Sequence, residues 1–261
     1  MKRTKIQAEL SAFPEVFHSL LQKGDLYDSS CSPEARVYYI DCDDGCFLKS
    51  APKGSLQKEV ELTRYFHQKG LATEVLDYLS ADRDWMLTRR MRGEDCTHRI
   101  YLDDPKRLCD LLAERLRALH ETDGSDCPVQ NRMQSYLETA KTNYRNGLHD
   151  VSFFENCFGS LSVDEIWRVV EQGGDLLQND TLIHGDYCLP NVMLDDWRFS
   201  GLIDLGNGGV GDRHVDLFWG AWTLWFNLGT DAYRERFFDA YGRDRIDSAR
   251  LKIVAAAEVF G

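Results

Sequence analysis

The sequence predicts an α+β fold, with a small β-rich N-terminal lobe and a larger α-helical C-terminal lobe that carries an inserted β-hairpin. Three observations indicate this fold. The first third of the chain contains short β-branched and aromatic runs separated by turn residues. Most of the remainder places apolar residues at helical spacing. Two apolar runs, at 182–194 and 199–206, interrupt the helices and predict the hairpin. We expect lobes at 1–90 and 91–261, with a ligand-binding cleft between them.

The N-terminal lobe is expected to contain four strands and one helix. Strands at 35–41 and 46–50 flank the turn-like CDDG, and 74–90 reads as two more strands around the turn ADRD. Between them, 55–70 has the spacing of a helix. Ser55 is its expected N-cap, and the glycine that closes the stretch is its expected C′ residue. The polar connector from Arg89 to Glu94 then leads to the second lobe.

The C-terminal lobe is expected to be mostly helical. The helix at 103–121 has Asp104 as N-cap and Pro105 at its first position. The stretch that starts at Ser162 opens with a capping box, with a glutamate three residues later. The helix at 215–229 is apolar nearly all round, which predicts burial. Two further helices, at 231–242 and 247–260, follow it.

The composition is that of a globular protein and narrows the class of partner. The 261 residues are 43% hydrophobic and 28% charged, and the net charge is −12. A nucleic-acid-binding protein needs a basic face, so we expect no nucleic acid partner. The negative charge suits a cationic small molecule. No run is long and apolar enough to span a membrane, and MKRTKIQAEL lacks the apolar core of a signal peptide.

The eight cysteines predict reduced thiols in a cytoplasmic protein. They are scattered along the chain without a CxxC pair or a Cys/His metal spacing. In a chain of this size without an export signal, thiols are expected to stay reduced. Cys42 and Cys46 flank a turn, so a bridge or a metal site there stays open as an alternative.

The stretch LIHGDYCLPNVML, at 182–194, carries the strongest functional signal. It fits the kinase catalytic-loop pattern H-x-D-x-x-x-x-N, with Asp186 and Asn191 at the required spacing. The later IDLG has the form of the kinase D-F-G, with Asp204 as its acidic residue. Phosphoryl transfer needs an oriented acceptor hydroxyl and Mg²⁺ on the phosphates. We therefore expect Asp186 to orient the acceptor and accept its proton, and Asn191 and Asp204 to ligate Mg²⁺.

A second signal lies upstream. A kinase needs a strand lysine for the α- and β-phosphates and a helix glutamate that holds this lysine. CFLKS supplies Lys49 at the end of a strand, and the next helix supplies Glu59. Glu61 competes as the partner of Lys49 but lies on a different helix face. Taken singly, both Lys49 and Glu59 also fit solvated positions, and the downstream motif favours the functional interpretation.

These motifs resemble those of the aminoglycoside O-phosphotransferases, closest to the 3′-kinase branch. The likeness runs over nearly the whole chain and includes CFLKS, LIHGDYCLPNVML, GLIDLGNGGVGDRHVDL and the tail AEVFG. It implies a protein-kinase-like fold. It also implies transfer of the γ-phosphate of ATP or GTP, with Mg²⁺, to a hydroxyl of a cationic aminoglycoside. The 3′-hydroxyl is the expected acceptor, and antibiotic resistance is the expected role.

The resemblance also assigns residues to the nucleotide. The nucleotide-binding set it implies is Ser32, Phe47, Lys49, Glu59, Arg89 and Met91. Phe47 would pack against the base, and the connector would offer backbone groups to the base edge. Ser32 lies in a segment that replaces a glycine-rich loop, and SPEAR contains no glycine. His184 and Asp216 are expected to be structural, the first orienting the loop and the second accepting hydrogen bonds from its backbone.

The acceptor site matches the family less closely. The acceptor-binding set implied by the resemblance is Asp186, Glu258, Phe260, Glu155, Asn207 and Asp231. Asn207 stands where close relatives usually carry arginine. Phe226 and Asn227 stand where some relatives carry acidic residues, and fewer carboxylates would weaken the attraction for a polyamine. The antibiotic spectrum is therefore open.

Two alternatives to an aminoglycoside kinase remain. One is a kinase of the same fold that acts on another small alcohol, such as an amino alcohol, a sugar or a different antibiotic. The other is a nucleotide-binding pseudokinase that signals through partners. Intact Lys49, Asp186, Asn191 and Asp204 argue against a pseudokinase, since such proteins usually lose one of them.

Overall fold

The computed structural model describes residues 3–31, 33 and 35–261. The strands are β1 Thr4–Lys5, β2 Asp25–Asp28, β3 Arg36–Asp41, β4 Cys46–Pro52, β5 Val75–Ser80, β6 Arg83–Arg89, β7 Glu94–Asp95, β8 Thr181–Ile183, β9 Val192–Asp195, β10 Arg198–Leu202 and β11 Gly209–Gly211. The α-helices are α1 His18–Leu21, α2 Gln57–Gln68, α3 Arg99–Leu102, α4 Pro105–His120, α5 Arg132–Arg145, α6 Ser152–Phe158, α7 Val163–Gly173, α8 Arg213–Leu228, α9 Arg234–Tyr241 and α10 Ser248–Glu258.

The chain divides into two compact units that do not follow chain order. The first runs up to His98 and also takes in Pro190–Gly206. The second comprises Arg99–Leu189 and Asn207–Gly261. The hairpin of β9 and β10 belongs to the first unit because β7 pairs with β9 there. The compact units divide at other positions. A lobe boundary at residue 90 therefore stays a prediction.

The first unit is built on an antiparallel sheet that has, within the described residues, six strands in the order β1-β2-β3-β4-β6-β5. The four predicted strands are confirmed as β3, β4, β5 and β6. Side chains alternate in direction along β4, so the two faces of this strand have different surroundings. Leu48 is buried in an apolar cluster with Ile40 and Trp85, whereas Phe47 and Lys49 face the other way. The functional face of the sheet follows from this alternation.

Helix α2 lies at the expected place but starts differently from the prediction. Ser55 is not its N-cap, since the side chain hydroxyl of Ser55 donates to the Pro52 carbonyl oxygen. The N-cap is Leu56, which has no capping side chain of its own. Asp84, on β6, accepts a hydrogen bond from the Leu56 N–H at 3.0 Å and replaces a local cap. The predicted C′ glycine, Gly70, is confirmed by its φ of +72°.

The hairpin of β9 and β10 delivers one of the predicted acidic residues. Its two-residue turn, Asp196 and Trp197, has positive φ at both positions, as a type I′ turn requires. The main chain leaves β10 and reaches Asp204, which has a φ of +59°. Aspartate tolerates this left-handed conformation better than most residues.

The second unit is helical and also contains the short two-stranded sheet of β8 and β11. Its core lies between α5, α6, α7, α8 and α10. The predicted caps are confirmed: Asp104 accepts from the N–H of Arg107, and Ser162 forms a capping box with Glu165. Helix α8 is buried along most of its length, but Phe226 is 63% exposed. Over the described part of the chain, no helix combines the length and apolar character needed to cross a membrane.

Candidate active site

A cavity of about 670 Å³ lies within the first unit. That volume is ordinary for a small-molecule site. Seven of the sequence-predicted residues line it: Phe47, Lys49, Glu59, Arg89, Met91, Asn191 and Asp204. Phe47 and Lys49 project from one face of β4 and are two residues apart, so their Cα atoms are separated by about 7 Å along the strand. The cavity therefore has an aromatic part and a charged part.

Lys49 organises the charged part. Its Nζ donates to both carboxylate oxygens of Glu59 at 2.8 Å and to Oδ1 of Asp204 at 2.9 Å. The side chains of Lys49 and Glu59 are only 18% and 8% exposed, whereas that of Asp204 is 54% exposed. Burial opposes the charged form of Lys49, but the two carboxylates raise its pKa. Lys49 is therefore a fixed cation, and the predicted Lys49–Glu59 ion pair is confirmed.

Glu61, the competing partner, is excluded from this ion pair. It lies on the exposed face of α2, where Oε1 accepts a hydrogen bond from Gln57 Nε2 at 3.0 Å. Burial raises the pKa of Glu59, against the attraction of Lys49. Two residues of one helix thus differ in task because a two-residue step turns a side chain to another face.

Asn191 and Asp204 border the cavity together. The main chain links them, since the N–H of Ile203 donates to the Asn191 carbonyl oxygen at 3.0 Å. Their side chains offer an amide oxygen and carboxylate oxygens, which are hard ligands of the kind that Mg²⁺ prefers. No cluster of three or more His, Cys, Asp or Glu suited to a metal occurs among residues 3–31, 33 and 35–261. The donor set fits an ion that takes its remaining ligands from phosphates and water.

The connector borders the aromatic part, and its backbone is partly occupied. The N–H of Arg89 donates to Glu74 and the N–H of Arg90 donates to Gly45, both at 3.0 Å. The Arg89 carbonyl oxygen accepts from the Thr73 hydroxyl at 2.6 Å. The Met91 N–H, by contrast, has no backbone partner in the part of the chain described. It can therefore meet a ligand in the cavity, which Met91 lines.

The side chains of two further arginines line the cavity, and neither side chain was predicted to do so. Arg3 stacks on Tyr39, with its guanidinium carbon 3.9 Å from the ring centroid and 5.5 Å from that of Phe47. The Nε atoms of Arg3 and Arg90 are buried and have no hydrogen-bond partner among the described residues. Such donors suit an anionic or acceptor-rich ligand. Nothing in the sequence around Arg3 distinguishes it from a surface arginine. Ser32 lies outside the described residues, and its neighbours Cys31 and Ala35 line the cavity.

The catalytic-loop motif opens in the second unit, directly after β8. The N–H groups of His184 and Gly185 both donate to the Asp216 carboxylate at 2.7 Å. The His184 ring accepts from the N–H of Asp186 at 3.2 Å. Both structural assignments are thereby confirmed. Gly185 has a φ of +82°, and a Cβ there would lie 2.0 Å from the Asn207 carbonyl oxygen, so the motif needs glycine at this position.

A buried chain of hydrogen bonds supports the loop that carries Asp186. The Asp216 carboxylate also contacts His120 Nε2 at 3.1 Å, and His120 Nδ1 contacts the Tyr241 hydroxyl at 2.8 Å. Burial lowers the pKa of His120, against the pull of Asp216. His120 ends the predicted helix α4, and nothing in its local sequence distinguishes it from an exposed terminal histidine. Asp186 itself is half-buried.

Glu258 is buried in the second unit, although the resemblance assigns it to the acceptor. Its Oε1 accepts from the Tyr136 hydroxyl at 2.9 Å and from Trp219 Nε1 at 3.1 Å. Burial, with a smaller contribution from the negative charge of Asp186, raises the pKa of Glu258 to about 7, against these two donors. Contact of Glu258 with an acceptor stays a prediction, and its carboxylate already has two protein partners.

The remaining acceptor candidates differ in accessibility. Glu155 and Asp231 are exposed, and Asp231 forms an ion pair with Arg234 at 2.7 Å. Asn207 is exposed, and Arg132 Nε donates to its carbonyl oxygen at 2.7 Å. Phe260 is buried and packs edge-on against two aromatic rings of the core. The Phe260 ring is thus a core element, and an acceptor contact of this terminal residue stays a prediction.

Comparison with known proteins connects these features to a family. A model of the phosphotransferase enzyme family matches residues 34–253. The chain belongs to this family. A probable aminoglycoside 3′-phosphotransferase of Lactococcus lactis is 49% identical over 258 residues, which cover 98% of each chain. An aminoglycoside 3′-phosphotransferase of Niallia circulans is 28% identical over 82% of this chain and 83% of its own.

Comparison with solved structures identifies the fold of this phosphotransferase. An aminoglycoside 3′-phosphotransferase of type VIII superposes with a TM-score of 0.72, at 23% identity, over 89% of this chain and 92% of its own. An aminoglycoside phosphotransferase of Streptomyces rimosus, solved in complex with ADP and streptomycin, superposes with a TM-score of 0.71 at 21% identity. That match covers 98% of this chain and all of the other. The predicted kinase-like α+β fold is confirmed.

Within this phosphotransferase, the predicted residues fall into two groups. The first unit brings together Lys49, Glu59, Asn191 and Asp204 at one cavity, together with Phe47 and the connector. The second unit holds Asp186 and the acceptor candidates. Residues that are far apart in sequence, such as Lys49 and Asp204, thus place a cation, two carboxylates and an amide at one cavity.

Proposed function

We propose that this phosphotransferase is an antibiotic kinase that moves the γ-phosphate of ATP or GTP to the 3′-hydroxyl of an aminoglycoside and thereby confers resistance. The observation that carries the proposal is the geometry at Lys49, whose Nζ lies 2.8 Å from both Glu59 oxygens and 2.9 Å from Asp204. A buried, doubly paired lysine in a cavity with an amide and a carboxylate suits the phosphates of a nucleotide. The 49% identity to a probable aminoglycoside 3′-phosphotransferase supports the acceptor class.

The nucleotide would be bound by the first unit. Lys49, held by Glu59, would contact the α- and β-phosphates. Phe47 would pack on the base, and the free Met91 N–H would meet its edge. Ser32 is proposed to border the phosphates. Arg3 and Arg90 add positive charge to the same cavity, which favours an anionic donor.

Asn191 and Asp204 are proposed to hold Mg²⁺. When bound, the ion would neutralise charge on the phosphates as the γ-phosphoryl group leaves. Asp204 is suited to this role because half of its side chain is exposed and its carboxylate borders the cavity beside Lys49. Asn191 supplies a neutral oxygen, so the pair brings a single negative charge toward a polyanionic nucleotide.

Asp186 is proposed to orient the acceptor hydroxyl. Its main chain is fixed by the His184 ring, and the loop before it is held by Asp216. The acceptor oxygen forms a bond to the γ-phosphorus as the bond to the β–γ bridging oxygen breaks. The hydroxyl proton passes to Asp186, and ADP or GDP leaves. A fixed base costs no reorganisation during the reaction.

Two further assignments complete the proposal. The acceptor is a cationic aminoglycoside, which the net charge of −12 attracts, with Glu155, Asp231, Glu258 and Asn207 as candidate contacts. The enzyme acts in the cytoplasm, where nucleotide donors are abundant. The free state of all eight cysteines, each within the described residues, suits that reducing compartment.

One observation favours a second candidate, a kinase of another small alcohol with the same fold. Phe226 and Asn227 offer an exposed ring and an amide at the end of α8, where carboxylates would bind a polyamine more strongly. Glu258, a further candidate, already satisfies two donors of its own chain. The substrate panel described next separates the two candidates.

The test is nucleoside diphosphate release with Mg-ATP or Mg-GTP and one acceptor at a time. The panel is kanamycin, neomycin, a lividomycin-type compound, hygromycin, choline and no acceptor. We expect strong stimulation by kanamycin and neomycin. We expect Asp186→Ala to bind nucleotide but lose ~10²–10⁴-fold in turnover. Stimulation by choline alone would move the substrate to the second candidate. Turnover by Asp186→Ala equal to that of the wild type would remove Asp186 as the base.

A further inference from the structure

Three aromatic side chains on neighbouring strands of the first unit lie side by side next to the cavity. Tyr27 on β2, Tyr39 on β3 and Phe47 on β4 are opposite one another in the strand register. The ring centroids are 5.9 Å apart for the first pair and 5.2 Å apart for the second. We call these three residues the aromatic ladder. Phe47, at one end of the ladder, lines the cavity and is the ring on which the base is proposed to pack.

Arg3 places a cation on this ladder. Its guanidinium carbon lies 3.9 Å from the centroid of the Tyr39 ring, a distance of direct contact. A base that packs on Phe47 would lie at a similar height above the ladder, since stacked planar groups are about 3.5–4 Å apart. The guanidinium carbon of Arg3 is 5.5 Å from the centroid of Phe47. The Arg3 guanidinium therefore meets such a base at its edge and not at its face.

Strand β1 holds Arg3 in this place. The strand follows Arg3 directly and pairs with β2 in antiparallel register. Beyond the strand, the N–H of Ile6 donates to the Leu26 carbonyl oxygen at 2.9 Å. Lys5 forms an exposed ion pair with Asp25. Because the main chain beside Arg3 is already part of a sheet, little backbone freedom is left to lose when its side chain binds a ligand.

Arg90 brings a second guanidinium to the same region. Its N–H donates to the Gly45 carbonyl oxygen at 3.0 Å, so the connector passes the turn between β3 and β4. A Cβ at Gly45 would lie 2.7 Å from the Tyr39 hydroxyl oxygen and 3.2 Å from Cδ of Arg90. Burial raises the pKa of Tyr39, whereas the charges of Arg90 and Arg3 oppose this rise. Both arginines thus adjoin the middle ring of the ladder.

Neither of these two arginines is neutralised by the protein. Both are half-buried and line the cavity. Their side chains form no hydrogen bond or ion pair with another residue in the part of the chain that the structure describes. A guanidinium carries five N–H donors and no acceptor. The terminal nitrogen atoms of Arg3 and Arg90 are therefore available to a ligand in the cavity that presents acceptors.

The connector adds to this excess of donors. The Met91 N–H has no backbone partner among the described residues, whereas the Arg89 carbonyl oxygen already accepts from the Thr73 hydroxyl at 2.6 Å. Glu94 also lines the cavity and adds a carboxylate on the connector side. The base region therefore combines guanidinium groups, a main-chain N–H and one carboxylate.

The two purines differ in how well they match this set. Guanine presents O6 and N7 as adjacent acceptors, which one guanidinium binds with two parallel hydrogen bonds. Adenine keeps N7 but has an amino donor in place of O6, so one N–H of the guanidinium would face another N–H. Guanine also carries an amino donor at C2, which a carboxylate such as that of Glu94 can accept. The donor-rich lining therefore favours guanine.

We infer that Arg3 and Arg90 read the edge of the donor base and make this phosphotransferase prefer GTP to ATP. The inference deepens the proposed function, which takes either nucleotide, and rests on it. Arg3 donates to O6 and N7 of the base that packs on Phe47, and Arg90 adds positive charge beside the same edge. ATP still binds through Phe47 and Lys49, but it offers one acceptor fewer to Arg3.

The experiment measures nucleotide binding without an acceptor, so that it does not depend on turnover. Mg-GDP and Mg-ADP are titrated separately into the full-length enzyme by calorimetry. The variants are Arg3→Ala, Arg3→Lys and Arg90→Ala. Arg36→Ala is the matched control, since Arg36 lies on the same strand as Tyr39, is 64% exposed and does not line the cavity. Thermal unfolding of every variant checks that it is folded.

We expect the wild type to bind GDP about 3- to 30-fold more tightly than ADP, because guanine accepts one more hydrogen bond from a charged donor. Arg3→Ala should bring the two affinities to within about twofold of each other. Arg3→Lys keeps the charge but loses the planar pair of donors, so its preference should be intermediate. Arg90→Ala should reduce the preference by about 2- to 5-fold. Arg36→Ala should keep the wild-type ratio.

Several results would overturn the inference. One is a wild type that binds ADP as tightly as GDP or more tightly. Another is an unchanged ratio in both Arg3→Ala and Arg90→Ala, including an equal loss for the two nucleotides, which would reduce the arginines to a general positive charge. Failure of every aminoglycoside to stimulate GDP or ADP release would contradict the proposed function alone, and the ratio would still decide this inference. Absence of binding of both nucleotides would overturn both.

Discussion

Glu59→Gln is the most informative substitution at the charged part of the cavity, because it removes one charge and little volume. Glu59 receives both contacts from Lys49 at 2.8 Å, and its side chain is only 8% exposed. Glutamine keeps a carbonyl oxygen for one of these contacts and loses the charge. Lys49 would then be held mainly by Asp204, which lies 2.9 Å away. That shift would draw Asp204 from its proposed role at the metal.

The expected size of the effect follows from the exchange of bond types. A hydrogen bond to a charged partner contributes about 1.5–3 kcal/mol and a neutral one about 0.5–1.5 kcal/mol. The difference of roughly 1–2 kcal/mol corresponds to about a 5- to 30-fold loss in kcat/KM for the nucleotide. Because Lys49 is a positioning cation for the phosphates, we expect the KM for ATP to rise and kcat to fall.

The assay is steady-state ADP release over a range of Mg-ATP at a fixed acceptor concentration. Glu61→Gln is the matched control, since Glu61 lies on the same helix, is exposed and accepts a hydrogen bond from Gln57. Thermal unfolding of both variants checks that they are folded. Wild-type parameters for Glu59→Gln, or the same loss in Glu61→Gln, would refute the assignment of Glu59 as the residue that holds Lys49.

Three further predictions test other parts of the structure. Lys49→Ala should raise the KM for ATP by more than Glu59→Gln does. Lys53→Ala, which changes an exposed lysine, should leave this KM unchanged. Equal KM values for Lys49→Ala and Lys53→Ala would remove Lys49 from the nucleotide site. Gly185→Ala should lower the free energy of unfolding by more than about 2 kcal/mol, because it adds a steric clash to backbone strain. Gly229→Ala is the control, because it has similar backbone strain but open space around the added Cβ. If chemical denaturation gives a similar loss of unfolding free energy for both variants, the clash at Gly185 is unimportant. Burial raises the pKa of Glu258 from its ordinary value of 4.5 to about 7 in the folded protein, so the folded state binds more protons between these pH values. Its stabilising contribution is complete below about pH 4.5 and is lost as pH rises through 7, by roughly 3 kcal/mol. Glu258→Gln should remove this part of the pH dependence of the free energy of unfolding, measured by chemical denaturation at pH 4.5, 6 and 7.5. The same pH dependence in variant and wild type would exclude a contribution from Glu258.

The sequence determined the features that depend on local spacing. Strand alternation puts Phe47 and Lys49 on one face of β4, and Glu59 and Glu61 must differ in direction because they are two residues apart on a helix. The caps at Asp104 and Ser162 also follow from adjacent residues. The catalytic-loop spacing from Asp186 to Asn191 is fixed by the chain itself.

Only the tertiary structure decided the features that depend on long-range packing. The start of α2 is capped by Asp84, which is 28 residues away, so the local signal at Ser55 misled. Burial of Glu258 and Phe260 required the packing of α10 against its neighbours. Lys49 meets Asp204 across 155 residues of chain. A spacing rule acts over one or two turns of chain, whereas the partner of a buried charge is set by whichever distant segment folds against it.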